Sequence, residues 1–142
     1  GVDALILNDG EARELSGESS LLKAARWIRR RGPRCCVIKK AEHGALLVTG
    51  EGVFVLPAFP TEDVVDPTGA GDSFAGGLMG YAAQAGAPDV THRTLQHALA
   101  WATVAASFTI EGFGTTSLQA VGRAELEARL GEFKRMTHLP GA

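Results

Sequence analysis

The sequence predicts an α/β fold whose sheet carries an antiparallel or mixed edge. Short apolar runs closed by polar or turn residues, 4–7 and 35–38, mark strands, and helix-periodic stretches lie between and after them. Three strand-like runs, 35–38, 45–49 and 53–56, then follow in quick succession. Such spacing implies hairpins at the margin of an otherwise α/β sheet.

The totals narrow the class. The chain has 142 residues, 45% of them hydrophobic, and a formal net charge of -2. One domain, 1–142, with a sizeable core is expected. Near-neutral charge argues against nucleic acid as a partner. No apolar run approaches the roughly 20 residues that a membrane-spanning helix needs. Cys35 and Cys36 are adjacent in an apolar run. On a strand they point to opposite faces, so they read as unbridged, buried small hydrophobes in a reducing, cytoplasmic setting.

The first strand, Ala4 to Leu7, ends at Asn8-Asp9-Gly10-Glu11. An amide and a carboxylate at the carboxyl end of a strand suit a hydrated Mg²⁺ or a phosphate. A turn leading into the first turn of a helix accounts for the same residues. Ser19 or Ser20 caps a helix running to about Arg31, stopped by Gly32-Pro33. Five arginines lie between 26 and 34. Cations complement a helix C-terminus, which is the plainer reading beside a nucleic-acid patch. Lys39 to Gly44 is a lysine-bearing turn between the second and third strands, and Pro57 to Pro60 is an extended connector.

The central stretch is Asp66-Pro67-Thr68-Gly69-Ala70-Gly71-Asp72. Small residues let a backbone approach a bulky ligand, and a helix start offers free N–H groups to an anion. Asp72 opens the helix that runs to about Ala85. Capping is one use for such a residue. The other is to take a proton from a nucleophile attacking a phosphate in the loop. The helix holds Gly76, Gly77 and Gly80, and interior glycines each cost about 1 kcal/mol relative to alanine. Close packing against the nearly all-apolar helix at 95–108 is therefore expected. A Gly-rich loop at 109–116 and an amphipathic surface helix at 123–135 complete the chain. The four histidines show no metal-ligand spacing.

Residues 66–77, Asp-Pro-Thr-Gly-Ala-Gly-Asp-Ser-Phe-Ala-Gly-Gly, closely resemble the second signature of the ribokinase-like (PfkB) carbohydrate kinase family. The resemblance implies a three-layer fold with a mostly parallel sheet, an antiparallel edge and helices on both faces. It implies an ATP-dependent kinase acting on a sugar or nucleoside hydroxyl. Asp72 is then the catalytic base, and the amides of Gly69, Ala70 and Gly71 form the anion hole. Asn8 and Glu11 match the family's Asn-x-x-Glu motif for Mg²⁺ and phosphate. Nucleotide contacts fall to Lys39, Gly44, Asp66, Thr68, Gly69, Gly71, His97 and Gly112. Ala41 stands where the family's nucleotide loop usually has its first glycine. The loop at 109–116 resembles the one beside the adenine and, in some members, a monovalent cation such as K⁺.

The chain begins with Gly1 and has about half the family's typical length, so the C-terminal portion of a larger kinase, or a processed form, is expected. Two other readings stay open. One is a lobe that binds nucleotide without turning it over. The other is a structural piece whose open sheet edge pairs with a second chain, giving a homo-oligomer.

Overall fold

The computed structural model of the chain describes residues 2–86, 90–113 and 116–141. It divides into two compact units, Gly1–Ala58 and Phe59–Ala142. The boundary between them falls inside the Pro57–Pro60 connector, and each unit has buried side chains of its own.

The first unit is a four-stranded sheet with two helices. Strand β1 (Ala4–Asn8) leads through α1 (Asp9–Ser16) and α2 (Leu21–Arg29) to β2 (Cys35–Lys39), and β3 (Ala45–Val48) and β4 (Val53–Leu56) follow. The spatial order is β1-β2-β3-β4. The first pair is parallel, as a helical crossover requires, and the other two are antiparallel. This is the expected mixed edge. Leu7, Cys36, Ile38, Leu46 and Val48 form one apolar cluster with Ala12, Ala24, Ala25 and Ile28 of the two helices. Strands β2 and β3 are buried on both faces, which is why their sequences are apolar without alternation. Both cysteines are buried and unbridged. Burial pushes the Cys36 thiol up to about 12.

The arginine-rich end of α2 is occupied with the helix itself. Arg31 stacks on Trp27 at 3.4 Å and donates to the Trp27 carbonyl. Arg29 donates to the Arg34 carbonyl. The helix stops at Arg29, two residues short of expectation, and Gly32 follows in a positive-φ conformation.

The second unit is helical: α3 (Ala70–Ala85), α4 (His92–Ile110), the short α5 (Thr116–Gln119) and α6 (Arg123–Thr137). Helices α3 and α4 run antiparallel. Ser73 bonds Thr109 near one end, Gly77 faces Ala102, and the rings of Tyr81 and Trp101 lie 6.2 Å apart. A Cβ on Gly77 would stand 3.1 Å from the Ala102 Cα, so this glycine sets the helix separation. A Cβ on Gly76 or Gly80 would meet nothing within 4 Å. The expected close packing therefore uses one glycine of the three, because positions 76 and 80 lie on the outward face shared with Asp72. Phe133 of α6 is buried against Phe59, with ring centroids 5.8 Å apart. Among the described residues no helix is long and apolar enough to cross a membrane.

Candidate active site

The Gly-rich loop of the second unit is tied to the end of α4. The Ile110 carbonyl accepts from two loop amides, Val65 at 2.8 Å and Asp66 at 3.2 Å. The Asp66 carboxylate then accepts the Thr68 N–H at 2.9 Å, a local turn that aspartate favours. Gly69 has φ 83°, a left-handed conformation natural to glycine, and occupies the N-cap position of α3. The Ser73 N–H closes the first helical turn on the Gly69 carbonyl at 2.9 Å.

Helix α3 thus begins two residues before Asp72. Asp72 lies in its first turn, not at its cap, and makes no capping bond. Its exposed carboxylate has no hydrogen-bond or ion-pair partner among the described residues. A capping role does not account for it. The expected anion hole is modified at Ala70, whose N–H turns back to the Pro67 carbonyl at 3.2 Å. Among the described residues the amides of Gly69, Gly71 and Asp72 itself have no acceptor. Three free donors at the positive end of a 16-residue helix are an arrangement able to hold an anion, and the unengaged carboxylate beside them is one able to accept a proton. The Asp72 amide was missed in the sequence, which places it at the start of the helix.

Thr109 props this loop from behind. It is fully buried, and its hydroxyl donates to Ser73 Oγ at 2.7 Å. The only trace of it in the sequence is a threonine amid apolar neighbours. Helix α4 runs two residues past its expected end, so Thr109 and Ile110 are helical. Gly112 follows at the same end, packed so closely on Ser117 that a side chain would collide with it. Gly114 and Thr115 of the expected loop lie outside the described residues.

His97 is not brought to this site. It lies 13 residues before Ile110 on α4, about 20 Å away along the axis at 1.5 Å per residue. There it lines a cleft of about 470 Å³ with Tyr81, Thr94, Arg93 and Arg123.

In the first unit the parallel register pairs Asn8 with Lys39, so both stand at the carboxyl ends of neighbouring strands. Adjacent strands lie about 4.8 Å apart. Asn8 caps α1 reciprocally with Glu11: Asn8 Oδ1 accepts the Glu11 N–H at 2.7 Å, and Glu11 Oε2 accepts the Asn8 N–H at 2.8 Å. The plain helix-start reading of these residues is therefore realised. It leaves Glu11 Oε1 outside the capping box, and Glu11 is exposed. Among the described residues no group of three His, Cys, Asp or Glu side chains could hold a metal. One free carboxylate oxygen fits Mg²⁺ that keeps its waters and takes its other ligands from phosphates, and does not fit an all-protein cage. The neighbouring Asp9 carboxyl is held below the usual carboxylate range by its hydrogen bond to Arg13.

Gly44 has a packing reason. It adopts φ 90°, and a Cβ there would stand 2.1 Å from the Leu56 carbonyl oxygen. Ala41, three residues earlier, holds φ 50°, the one non-glycine positive φ among the described residues. The left-handed turn is made here without the glycine that suits it.

Residues 1–120 match the family model described as pfkB family carbohydrate kinase. The chain is 48% identical over 69 residues to the aminoimidazole riboside kinase of Salmonella typhimurium, a match covering 49% of this chain and 21% of that protein. It superposes on the crystal structure of the Salmonella enterica aminoimidazole riboside kinase, complexed with aminoimidazole riboside and an ATP analogue. That match has TM-score 0.77 and 33% identity, over 90% of this chain and 42% of the other. It also superposes on a Vibrio cholerae fructokinase bound to fructose, ADP and calcium, with TM-score 0.79 and 26% identity, over 90% and 41% of the two chains. The chain therefore spans less than half the length of these relatives.

Proposed function

Because this chain belongs to the pfkB family of carbohydrate kinases, we propose that it carries the phosphoryl-transfer site of an ATP-dependent kinase acting on a hydroxyl of a sugar or nucleoside. One observation carries the reading: among the described residues, Asp72 stands unpartnered in the first turn of a helix whose Gly69, Gly71 and Asp72 amides have no acceptor. An acceptor hydroxyl hydrogen-bonded to Asp72 attacks the γ-phosphorus of ATP. The new O–P bond forms as the bridging bond to the β-phosphate breaks, ADP leaves, and the hydroxyl proton passes to the Asp72 carboxylate. The three amides hold the charge on the transferring group, and the Thr109–Ser73 bond keeps their helix start in place. A positioned base contributes roughly 10²- to 10⁴-fold. One preorganised donor contributes about 3 to 4 kcal/mol.

In the first unit, Lys39 would set its charge against the nucleotide phosphates. Glu11, with Asn8, would hold Mg²⁺ through water. When bound, Mg²⁺ neutralises phosphate charge. Both riboside and sugar acceptors are named for the relatives. The class of acceptor proposed is accordingly a sugar or a nucleoside.

A second reading is favoured by one observation, the 42% and 41% coverage of the two solved relatives. It is that this chain binds nucleotide and transfers nothing by itself. Proximity of the acceptor is worth about 7 to 11 kcal/mol, and it is lost if no acceptor is held. Calorimetric titration with Mg²⁺ and a non-hydrolysable ATP analogue, followed by product assays with aminoimidazole riboside and with fructose, separates the readings. Analogue binding with product formation supports phosphoryl transfer by this chain. Binding without product leaves the second reading. A folded chain that binds no analogue contradicts both.

A further inference from the structure

We infer that Arg129 is a positioning residue for the phosphate loop, acting through the last turn of α4. The inference rests on the proposed phosphate-binding role of that loop, although its structural core does not. Arg129 lies on α6, 19 residues beyond Ile110, and its side chain is only 18% exposed. Its guanidinium pairs with Glu111: Nη2 donates to Oε2 at 3.0 Å, and Nη1 lies 2.9 Å from Oε1 in the ion pair. Nη1 also reaches Ser107 Oγ at 3.0 Å, and the plane stacks on Phe108 at 3.6 Å. Phe59 lies 5.0 Å from the same group.

Three residues of one helical turn, Ser107, Phe108 and Glu111, are thus fixed by a single side chain, and Ile110 lies between them. The final carbonyls of a helix have no partner within it, and helix ends fray. Here the Ile110 carbonyl is the acceptor that anchors Val65 and Asp66, the residues entering the anion loop. A frayed turn would release both amides together. The planar guanidinium bonds Ser107 and Glu111 from two nitrogens while it stacks on a ring, and a lysine ammonium does not reproduce that arrangement. The clamp touches no part of the anion site itself, so its effect on that site passes through Ile110.

Amide hydrogen exchange followed by NMR on the 142-residue chain tests this. In Arg129→Met, exchange at Val65 and Asp66 is expected to quicken about tenfold or more. Amides in the middle of α4, Ala98 to Ala102, should stay within about threefold of wild type. Arg129→Lys should resemble the methionine variant at the two loop amides. Unchanged exchange at Val65 and Asp66, or a uniform rise along α3 and α4, overturns the inference. Full protection in Arg129→Lys also overturns it, since charge alone would then suffice. If Arg129→Met fails to fold, Glu111→Gln weakens the same grip, and the same two outcomes decide. The readout needs no nucleotide. Failure of the kinase reading would appear as a folded chain that binds no ATP analogue and would leave the exchange result unaffected.

Discussion

The hydroxyl of Thr109 donates to the hydroxyl of Ser73 over 2.7 Å, joining the last turn of α4 to the residue beside Asp72. Thr109 is fully buried, so valine would keep its shape and lose its bond. Such a loss costs about 1 kcal/mol, more if the remaining hydroxyl is left without a partner. Thr109→Val is expected to melt about 4 °C below wild type with helix content unchanged. An unchanged melting temperature would mean the bond adds nothing to stability.

The Asn8–Glu11 capping box allows cap and metal roles to be separated. Asn8→Ala removes the acceptor for the Glu11 N–H and should cost about 1 kcal/mol in denaturant unfolding. Glu11→Gln retains an oxygen for the Asn8 N–H, so its stability should stay within about 0.5 kcal/mol of wild type. Its nucleotide-analogue binding should nevertheless lose most of its Mg²⁺ dependence. If that dependence is intact, Glu11 caps the helix and does nothing to the metal.

Opposite effects are expected from two small changes in the turn after β2. Ala41 holds φ 50°, where an L-residue pays roughly 1 to 2 kcal/mol. Glycine loses more chain entropy on folding, by about 0.5 to 1 kcal/mol, so Ala41→Gly should be stabilising by about 0.5 kcal/mol. Gly44→Ala drives a Cβ onto the Leu56 carbonyl and should cost about 3 kcal/mol or more. Paired denaturation curves check both signs.

Glycines 77 and 80 make a similar contrast on α3. Gly80→Ala meets nothing and should add up to about 1 kcal/mol of stability. Gly77→Ala must push against the Ala102 backbone and should fall at least about 1 kcal/mol below the Gly80 variant. Equal melting temperatures for the two would show that α3 and α4 separate without cost.

How far these features were legible follows from which forces are local. The strands matched expectation to within one residue, because each apolar run is closed by its own turn residues, such as Gly50 and Gly52 before β4. The helix start at Ser20 follows from local capping chemistry in the same way, whereas the helix expected from Glu11 already begins at Asp9, capped by Asn8. The start of α3 was misplaced because Asp72 looks like a cap in the sequence, whereas Gly69 fills that position through its left-handed backbone. The end of α4 was misplaced because its last carbonyl is taken by Val65 and Asp66, more than 40 residues earlier in the chain. His97 could not be placed by local pattern at all, since its distance from the loop depends on the antiparallel run of α3 against α4. Glu111 and Arg129 read as ordinary surface charges until the fold brings them together.

The role of Asp72 as proton acceptor is the centre of the account, and Asp72→Asn tests it most directly. The variant keeps the size and removes the base. Phosphate transfer to an acceptor hydroxyl should fall by roughly 10²-fold or more, while ATP-analogue binding stays within about threefold of wild type. Turnover that survives within about threefold would contradict the assignment, because a base in contact with the attacking hydroxyl cannot be removed so cheaply.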